Sequence, residues 1–302
     1  KGEIIDPINP ETGKSWGWSD VADLNYDNQE LRKEMTADML HWIKNENIDG
    51  FRCDVASNVP LDFWQQAIPQ LRKEKDIFML AEAWEPELLK DGLFDMAYGW
   101  EVHHTMNRIA QGKNTVKDWD KLMEENANKY ESNDILMSFV DNHDENSWNG
   151  TIKGRLGKGE EAMTALSYVM PGMPLIYSGN EYGLNHSLKF FEKDSIPKTK
   201  GKDWELRAKL GKLKTENTAL NGGKNKAKYT RIKTDDDTNI LAFTREKEGK
   251  KVVYIANFSN NPIKTKVGIK GEFTNYMTGE KMKLNEKQIF SIEPWQYYIL
   301  TE

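Results

Sequence analysis

The chain has 302 residues, a formal net charge of −6 at pH 7 and ten tryptophans, which is enough for one large domain and a smaller one. An acidic chain has no broad electrostatic attraction to nucleic acid or to an anionic membrane surface, so neither is an expected partner. No apolar run approaches the ~20 residues that span a bilayer. The one cysteine, Cys53, excludes an internal disulfide framework. The composition fits a neutral polar substrate.

Strand and helix patterns alternate after an irregular opening stretch, residues 1–25. Five segments have strand-like apolar runs: 49–55, 77–83, 94–100, 135–142 and 174–179. Helical spacing of apolar residues marks the segments around them: 29–47, 61–75, 100 to about 130, 160–169 and 203–216. Repeated strand–helix units predict an α/β fold, with parallel strands joined by helical crossovers.

The pattern changes after Gly222-Gly223. From about Lys228, short strands separated by turn residues are expected over residues 229–233, 240–245, 251–258, 264–267, 273–278, 288–292 and 296–300. This predicts a small antiparallel β-sandwich. The expected organisation is therefore a loop segment over residues 1–25, an α/β domain over 26–222 and a β-sandwich domain over 225–302.

Three predicted strands each have a carboxylate at or just after their C-terminal end, namely Asp54, Glu82 and Asp144. In parallel α/β folds, functional groups gather at the C-terminal ends of the strands. We therefore interpret these three acids as candidate catalytic residues.

The alternation of side chains along a strand distinguishes the first two acids. Arg52 and Asp54 share one face of their strand, and a nearby cation favours the ionised carboxylate that a nucleophile requires. Glu82 shares its face with Leu80 and Trp84, whose apolar surfaces favour the protonated carboxyl that a general acid requires. Two carboxyls with pKa values pushed apart are typical of a glycosidase pair.

Three segments resemble signature segments of the α-amylase family of glycoside hydrolases: Gly50-Phe51-Arg52-Cys53-Asp54, Ala81-Glu82-Ala83-Trp84 and Phe139-Val140-Asp141-Asn142-His143-Asp144. Asp23-Leu24-Asn25 resembles a further short motif of that family, and residues 174–181 resemble its last barrel strand and the turn after it. The resemblance spans nearly the whole chain. It implies a (β/α)8 TIM barrel followed by a C-terminal antiparallel β-sandwich.

The resemblance also implies roles for single residues. Asp54 matches the nucleophile, and Glu82 matches the general acid/base. Asp144 matches the carboxylate that stabilises the oxocarbenium-like transition state. Arg52 and His143 match the residues that set up the nucleophile and hydrogen-bond the sugar.

Other residues carry weaker expectations. Asn142 and Trp84 are further candidate substrate contacts, since aromatic faces can stack on sugar rings. Trp16, Trp18 and Trp148 are candidates for the same role, but at least half of these four tryptophans are expected in the core.

Calcium is the one cofactor that the resemblance implies, as a structural ion with Asp23 among its ligands. A loop-capping role for Asp23 is nearly as good an interpretation. Cys53 is expected to be a buried small apolar residue. His103-His104 is not interpreted as a metal pair, because adjacent helical residues point apart.

Two departures from the family pattern stand out. Many members have Lys-His where this chain has Ser57-Asn58, so we expect weaker discrimination among sugars on the leaving-group side. The first signature segment of the family is missing, and the five strands match barrel strands four to eight. We therefore predict that strands one to three belong to an N-terminal part of the same enzyme, which acts as a partner of this chain.

The sequence thus predicts a retaining hydrolase of α-1,4-glucans such as starch or maltooligosaccharides. A 4-α-glucanotransferase is an alternative, since a sugar hydroxyl can replace water in the second step. Two further alternatives are a non-catalytic relative that only binds glucans and a fragment with no activity of its own. The expected partner is an α-glucan oligo- or polysaccharide, and the resemblance favours a secreted, periplasmic or cell-envelope location.

Overall fold

The computed structural model describes residues 4–9 and 12–302. The chain forms two compact units, Lys1–Phe94 and Asp95–Glu302. Each unit has its own strands and helices, and the domain boundaries expected at residues 25 and 222 stay predictions.

Two helices and two strands alternate in the first unit. Helix α1 (Gln29–Glu46) begins after Asn28, whose side chain accepts hydrogen bonds from the backbone amides of Glu30 and Leu31. Strand β1, helix α2 and strand β2 follow, with these bounds: Gly50–Cys53, Leu61–Glu74 and Phe78–Ala81. All four elements confirm the predictions, with the strands shorter than expected.

Strands β1 and β2 are parallel. Gly50 lies opposite Phe78, and Cys53 lies opposite Ala81. The apolar face of α2 is buried, including Phe63 and Leu71, so the helix covers the first unit's core. Because the strands run in the same direction and in this register, the residues after Cys53 and after Ala81 lie at one edge.

Gly50 permits the close pairing of β1 with β2. Its φ is +151°, and a Cβ atom at this position would lie 1.8 Å from the carbonyl oxygen of Phe78. No side chain fits there without moving backbone atoms. The glycine that permits the strand pairing therefore belongs to the same short segment as Arg52 and Asp54.

Three short parallel strands begin the second unit. Strand β3 (Met96–Tyr98) pairs with β4 (Ile135–Ser138), and β4 pairs with β5 (Met173–Pro174). Helices lie between and after these strands: α3 (Trp100–Ala110), α4 (Val116–Lys129), α5 (Ile152–Leu156), α6 (Glu160–Val169) and α7 (Lys202–Glu216). Parallel strands joined by helices confirm the predicted α/β class.

The last of these strands differs from its prediction. A strand was expected over residues 174–179, whereas β5 ends at Pro174. Proline has no backbone N–H to donate to a strand ladder, although the next amide, of Leu175, still donates to the carbonyl of Ser138 at 2.8 Å. The chain then turns through Gly179, whose φ is +97°.

Antiparallel strands fill the C-terminal part of the second unit. The larger sheet has six strands in the order β11-β10-β13-β8-β7-β6, and the smaller sheet pairs β12 with β9. The bounds of β6 to β13 are Lys228–Arg231, Ile240–Lys247, Lys250–Asn257, Ile263–Lys266, Gly271–Asn275, Lys281–Leu284, Ile289–Ile292 and Tyr297–Thr301. Two sheets confirm the predicted sandwich, but strand β11 was not predicted.

Two apolar cores stabilise the second unit. One joins helix α6 to strands β7 and β8, through fully buried residues such as Leu166, Phe243 and Tyr254. The other lies within the sandwich and includes Ile255, Phe290 and Leu300. Burial of apolar surface on this scale supplies most of the favourable free energy of folding. Within the described ranges, no helix is both long and apolar enough to cross a membrane.

Candidate active site

One guanidinium group connects two of the predicted catalytic acids. Asp54 directly follows β1 and Glu82 directly follows β2, so the strand register places both at one edge of the first unit. Nη1 of Arg52 lies 2.5 Å from Oδ1 of Asp54, and Nη2 lies 2.9 Å from Oε2 of Glu82. The structure therefore brings Arg52, Asp54 and Glu82 together, as the sequence predicts.

The two carboxyls differ sharply in exposure. The side chain of Glu82 is 14% exposed, whereas that of Asp54 is 69% exposed. Burial raises the pKa of Glu82, and the charge of Asp54 adds to this, while the Val55 amide and the Arg52 charge lower it. Burial has the larger effect, so the pKa of Glu82 is above its ordinary value, as expected from its sequence neighbours. A half-buried carboxyl with a raised pKa beside an exposed carboxyl suits the pairing of an acid with a nucleophile.

A strained residue follows Asp54. Val55 has φ 41° and ψ 48°, in the left-handed region that β-branched residues rarely adopt. Its backbone N–H donates a 2.8 Å hydrogen bond to Oε2 of Glu82. Backbone strain of this kind costs roughly 1–3 kcal/mol and concentrates at functional sites. The turn that follows carries Ser57 and Asn58, both exposed, and their effect on sugar selection stays a prediction.

The four candidate tryptophans are placed differently from the expectation. Trp84, Trp148 and Trp16 are 49%, 61% and 40% exposed, and Trp18 is half-buried. The expectation that at least half of them lie in the core is therefore wrong. Trp16 and Trp18 stack on each other, with ring centroids 5.0 Å apart and planes 6° apart. Exposed indole faces are suitable platforms for the C–H faces of sugars.

The segment after β4 carries the remaining predicted residues. The side chains of His143 and Asp144 are 42% and 36% exposed, and His143 Nε2 lies 3.4 Å from Asp144 Oδ2. Asn142 is only 1% exposed, and its Oδ1 accepts a hydrogen bond from the amide of Glu145 at 2.8 Å. Its Nδ2 has no hydrogen-bond partner in the part of the chain that the structure describes. The placement of Asn142 favours shaping of the turn, and a substrate contact by this residue stays a prediction.

A buried ionic network supports this segment, and sequence reasoning did not find it. Arg155 lies 2.7 Å from Asp141 and also donates to the carbonyl oxygen of Val140 at 3.0 Å. His103 Nε2 lies 2.9 Å from Oε2 of Glu145, and both side chains are buried. Burial raises the pKa of Asp141 to about 6 against the opposing charge of Arg155. These contacts fix the backbone that presents His143 and Asp144.

The sequence carried a signal for His103 and for Cys53, and only that of His103 has a different meaning in the structure. His103 belongs to the His-His pair that was not interpreted as a metal site, and it pairs with a carboxylate instead. Cys53 is buried, as expected, and burial raises the pKa of its thiol to about 12. The position of Arg155, on helix α5, has no local motif that marks it.

Asp23 is the residue for which a calcium-binding role is expected. Asp23 is exposed, and its amide donates to the carbonyl of Ile5 at 3.0 Å. No cluster of three or more His, Cys, Asp or Glu side chains suited to a metal occurs within residues 4–9 and 12–302. Calcium takes six to eight oxygen ligands, so the residues present do not fit a calcium ion without further ligands. Calcium binding at Asp23 stays a prediction.

Curated relatives share the sequence over most of this chain. It is 23% identical over 276 residues to the α-amylase MalA of Haloarcula japonica, covering 90% of this chain and 40% of that protein. It is 27% identical over 263 residues to an intracellular maltogenic amylase of Bacillus subtilis, covering 80% of this chain and 42% of that protein. The chain thus spans about 40% of the length of these relatives.

A solved structure shares the fold. The maltogenic α-amylase AmyB of Thermotoga neapolitana superposes with a TM-score of 0.85 at 22% identity, covering 98% of this chain and 71% of that one. The predicted fold class, part of a (β/α) barrel followed by a β-sandwich, is therefore confirmed. The family model for the α-amylase catalytic domain matches residues 16–250, which include every candidate site residue named above. This chain belongs to the α-amylase family.

Proposed function

We propose that this chain carries the catalytic residues of a retaining glycoside hydrolase that cleaves α-1,4-glucosidic bonds of starch or maltooligosaccharides. The observation that carries this proposal is the bridge from Arg52 to both Asp54 and Glu82, with Glu82 half-buried and Asp54 exposed. Neutral substrates suit the chain's modest net charge of −6.

The reaction proceeds in two displacements. In the first, an Asp54 carboxylate oxygen attacks the anomeric carbon while Glu82 donates its proton to the departing glycosidic oxygen. A covalent glycosyl ester on Asp54 results. In the second, Glu82 accepts a proton from water, the water oxygen attacks the anomeric carbon, and the ester bond to Asp54 breaks. If a sugar hydroxyl replaces that water, the same intermediate gives a glucanotransferase product.

Arg52 has two tasks in this scheme. It orients Asp54 for attack, and its positive charge lies against both carboxyl groups. We expect about 5–5.5 Å between the carboxyl groups of Asp54 and Glu82 when substrate is bound, as in retaining enzymes. The contact of one guanidinium with both carboxyls supports a short separation between them.

Three further residues have proposed roles. Asp144 stabilises the positive charge that develops on the sugar, and His143 hydrogen-bonds the sugar that is cleaved. Trp84, two positions after Glu82 and 49% exposed, offers an indole face to a neighbouring sugar.

Two substitutions test the roles of the acids. Glu82→Gln should abolish most hydrolysis of maltooligosaccharides but preserve the first step with an aryl glucoside, whose leaving group needs no proton. Asp54→Asn should abolish turnover of both substrates, because the nucleophile is lost. Normal turnover of the aryl glucoside by Asp54→Asn would show that the nucleophile lies elsewhere.

We also propose that the active enzyme includes an N-terminal part that supplies barrel strands one to three. The support is that relatives are longer than this chain and that β1 and β5, within the described residues, each pair with one parallel strand. A closed barrel pairs every strand on both sides. The test is to measure starch hydrolysis by the purified 302-residue chain alone and after addition of the N-terminal polypeptide. Equal activity in both samples would contradict the proposal.

A further inference from the structure

Three aromatic side chains form an exposed cluster in the second unit. Trp148, Phe190 and Phe191 are 61%, 41% and 67% exposed. We call these three residues the aromatic platform. Rings of this size normally bury most of their surface, so three exposed rings in one place need an explanation other than folding.

The three rings contact one another and reach His143. Ring centroids are 5.1 Å apart for Trp148 and Phe190, 6.3 Å for Trp148 and Phe191, and 4.9 Å for Phe190 and Phe191. His143 stacks on Phe190 with centroids 6.4 Å apart and planes 27° apart. The platform is therefore continuous with a residue proposed to hydrogen-bond the cleaved sugar.

Hydrogen bonds between side chains and backbone hold the platform in place. Its two phenylalanines follow a loop that is tied to the turn Glu145–Asn149 by three hydrogen bonds. Ser147 Oγ donates to the carbonyl of Leu188 at 2.9 Å, and the amide of Leu188 donates to Asn146 Oδ1 at 2.8 Å. The third, from Asn146 Nδ2 to the carbonyl of His186, is 3.3 Å long. A loop fixed in this way loses little further freedom when a ligand binds.

Two pairs of oppositely charged groups lie beside the platform. Lys189 directly precedes Phe190 in the chain, and its ammonium group pairs with the carboxylate of Glu192 at 2.7 Å. The carboxylate of Asp194 accepts a hydrogen bond from the backbone amide of Lys189. Nε2 of His186 lies 3.7 Å from Oδ1 of Asp194. The rings thus present an apolar surface with a polar rim. A glucose ring has the matching chemistry, since its C–H face is apolar and its hydroxyl edge is polar.

We propose that the aromatic platform binds a glucosyl unit of an α-glucan, away from the sugar whose bond is cleaved. This inference rests on the proposed function, and it adds a reason for preference toward longer chains. A chain long enough to reach from His143 to Trp148 and Phe191 gains stacking contacts that a single glucoside lacks. The platform then raises catalytic efficiency on long maltooligosaccharides relative to short substrates.

The test uses Trp148→Ala, Phe191→Ala and their combination in the complete enzyme, with Trp42→Ala as the matched control. Trp42 is 53% exposed on helix α1 and lies outside the platform. We expect the ratio of kcat/KM for maltoheptaose to kcat/KM for an aryl α-glucoside to fall about tenfold in the double variant, a typical value for lost aromatic contacts. The ratio should stay unchanged in Trp42→Ala. An equal ratio in the double variant and the parent would overturn the proposal.

A binding measurement separates this inference from the proposed function. Maltoheptaose binding is measured by calorimetry in the Glu82→Gln background, with and without Trp148→Ala, so that no turnover is needed. We expect affinity to fall about tenfold on loss of Trp148. Unchanged affinity overturns the platform proposal even if the enzyme is an active hydrolase. A fall in affinity supports it even if the catalytic roles are wrong. If Trp148→Ala instead weakens only assembly with the N-terminal polypeptide, the platform is a protein interface and the proposal fails.

Discussion

The backbone amide of Val55 donates a 2.8 Å hydrogen bond to Oε2 of Glu82. Val55 makes this contact from a left-handed conformation with φ 41°, directly after Asp54. The turn that presents the proposed nucleophile therefore also fixes the proposed acid. The amide and Arg52 both lower the pKa of Glu82, whereas burial raises it and has the larger effect.

Arg52→Gln should reduce activity and move its pH dependence. Glu82 must be protonated to donate its proton, so kcat/KM falls as pH rises through the pKa of Glu82. Removing the Arg52 charge removes one influence that lowers this pKa, so the alkaline limb should move to higher pH. We expect kcat/KM to fall about 100-fold as well, as for loss of a charged group that orients a reacting atom. The measurement is a pH profile of kcat/KM on maltoheptaose.

Arg52→Lys is the control for that profile. Lysine keeps the charge but lacks the planar fork that contacts two carboxyls at once. It should therefore lose activity while its alkaline limb stays near that of the parent. A limb that moves to lower pH in Arg52→Gln would contradict the electrostatic role given to Arg52.

Gly50→Ala should strongly destabilise the first unit. The added Cβ would lie 1.8 Å from the Phe78 carbonyl oxygen, so β1 and β2 must separate. We expect a loss of at least about 3 kcal/mol in the free energy of unfolding, measured by urea denaturation.

Gly211→Ala provides the matched control. Gly211 lies within helix α7, and a Cβ there meets nothing within 4 Å. The substitution should stabilise the protein by about 0.5–1 kcal/mol, because alanine loses less backbone freedom in a helix. Equal effects of the two substitutions would show that the close approach at Gly50 does not matter.

Arg155→Met should destabilise the second unit by about 3–5 kcal/mol, since it leaves the Asp141 carboxylate buried without its cation. Asp141 is 1% exposed and lies 2.7 Å from Arg155. Adding Asp141→Asn should recover much of this loss, because asparagine is neutral and still offers an oxygen to Asn180, which donates to Asp141 at 3.3 Å. A double-mutant cycle by thermal unfolding measures the coupling. Additive losses would mean that the pair is not coupled.

The sequence predicted elements whose signals are local. Helices α1, α2 and α6 follow apolar spacing, and their ends agree closely with the expected ones. Strand β11 was missed because Lys281–Leu284 is short, carries two lysines and lies at the edge of its sheet. Such edge strands carry charges and have weak strand signals.

The site was predictable only in part, because some of its contacts depend on how segments distant in sequence pack together. Asp54 and Glu82 follow strand ends, so their shared location comes from the α/β pattern. The double contact of Arg52 depends on the register of β1 against β2, which no local pattern specifies. The pair formed by Asp141 and Arg155 depends on how helix α5 packs beside the end of β4.

The identity of the covalently labelled residue tests the central claim most directly. An activated glycosyl fluoride that forms a slowly hydrolysed ester is incubated with the complete enzyme in its Glu82→Gln form, and the labelled peptide is identified by mass spectrometry. The proposed mechanism predicts a single glycosyl ester on Asp54. A label on Glu145 or Asp144, or turnover of the fluoride with no ester on any carboxylate, would contradict it.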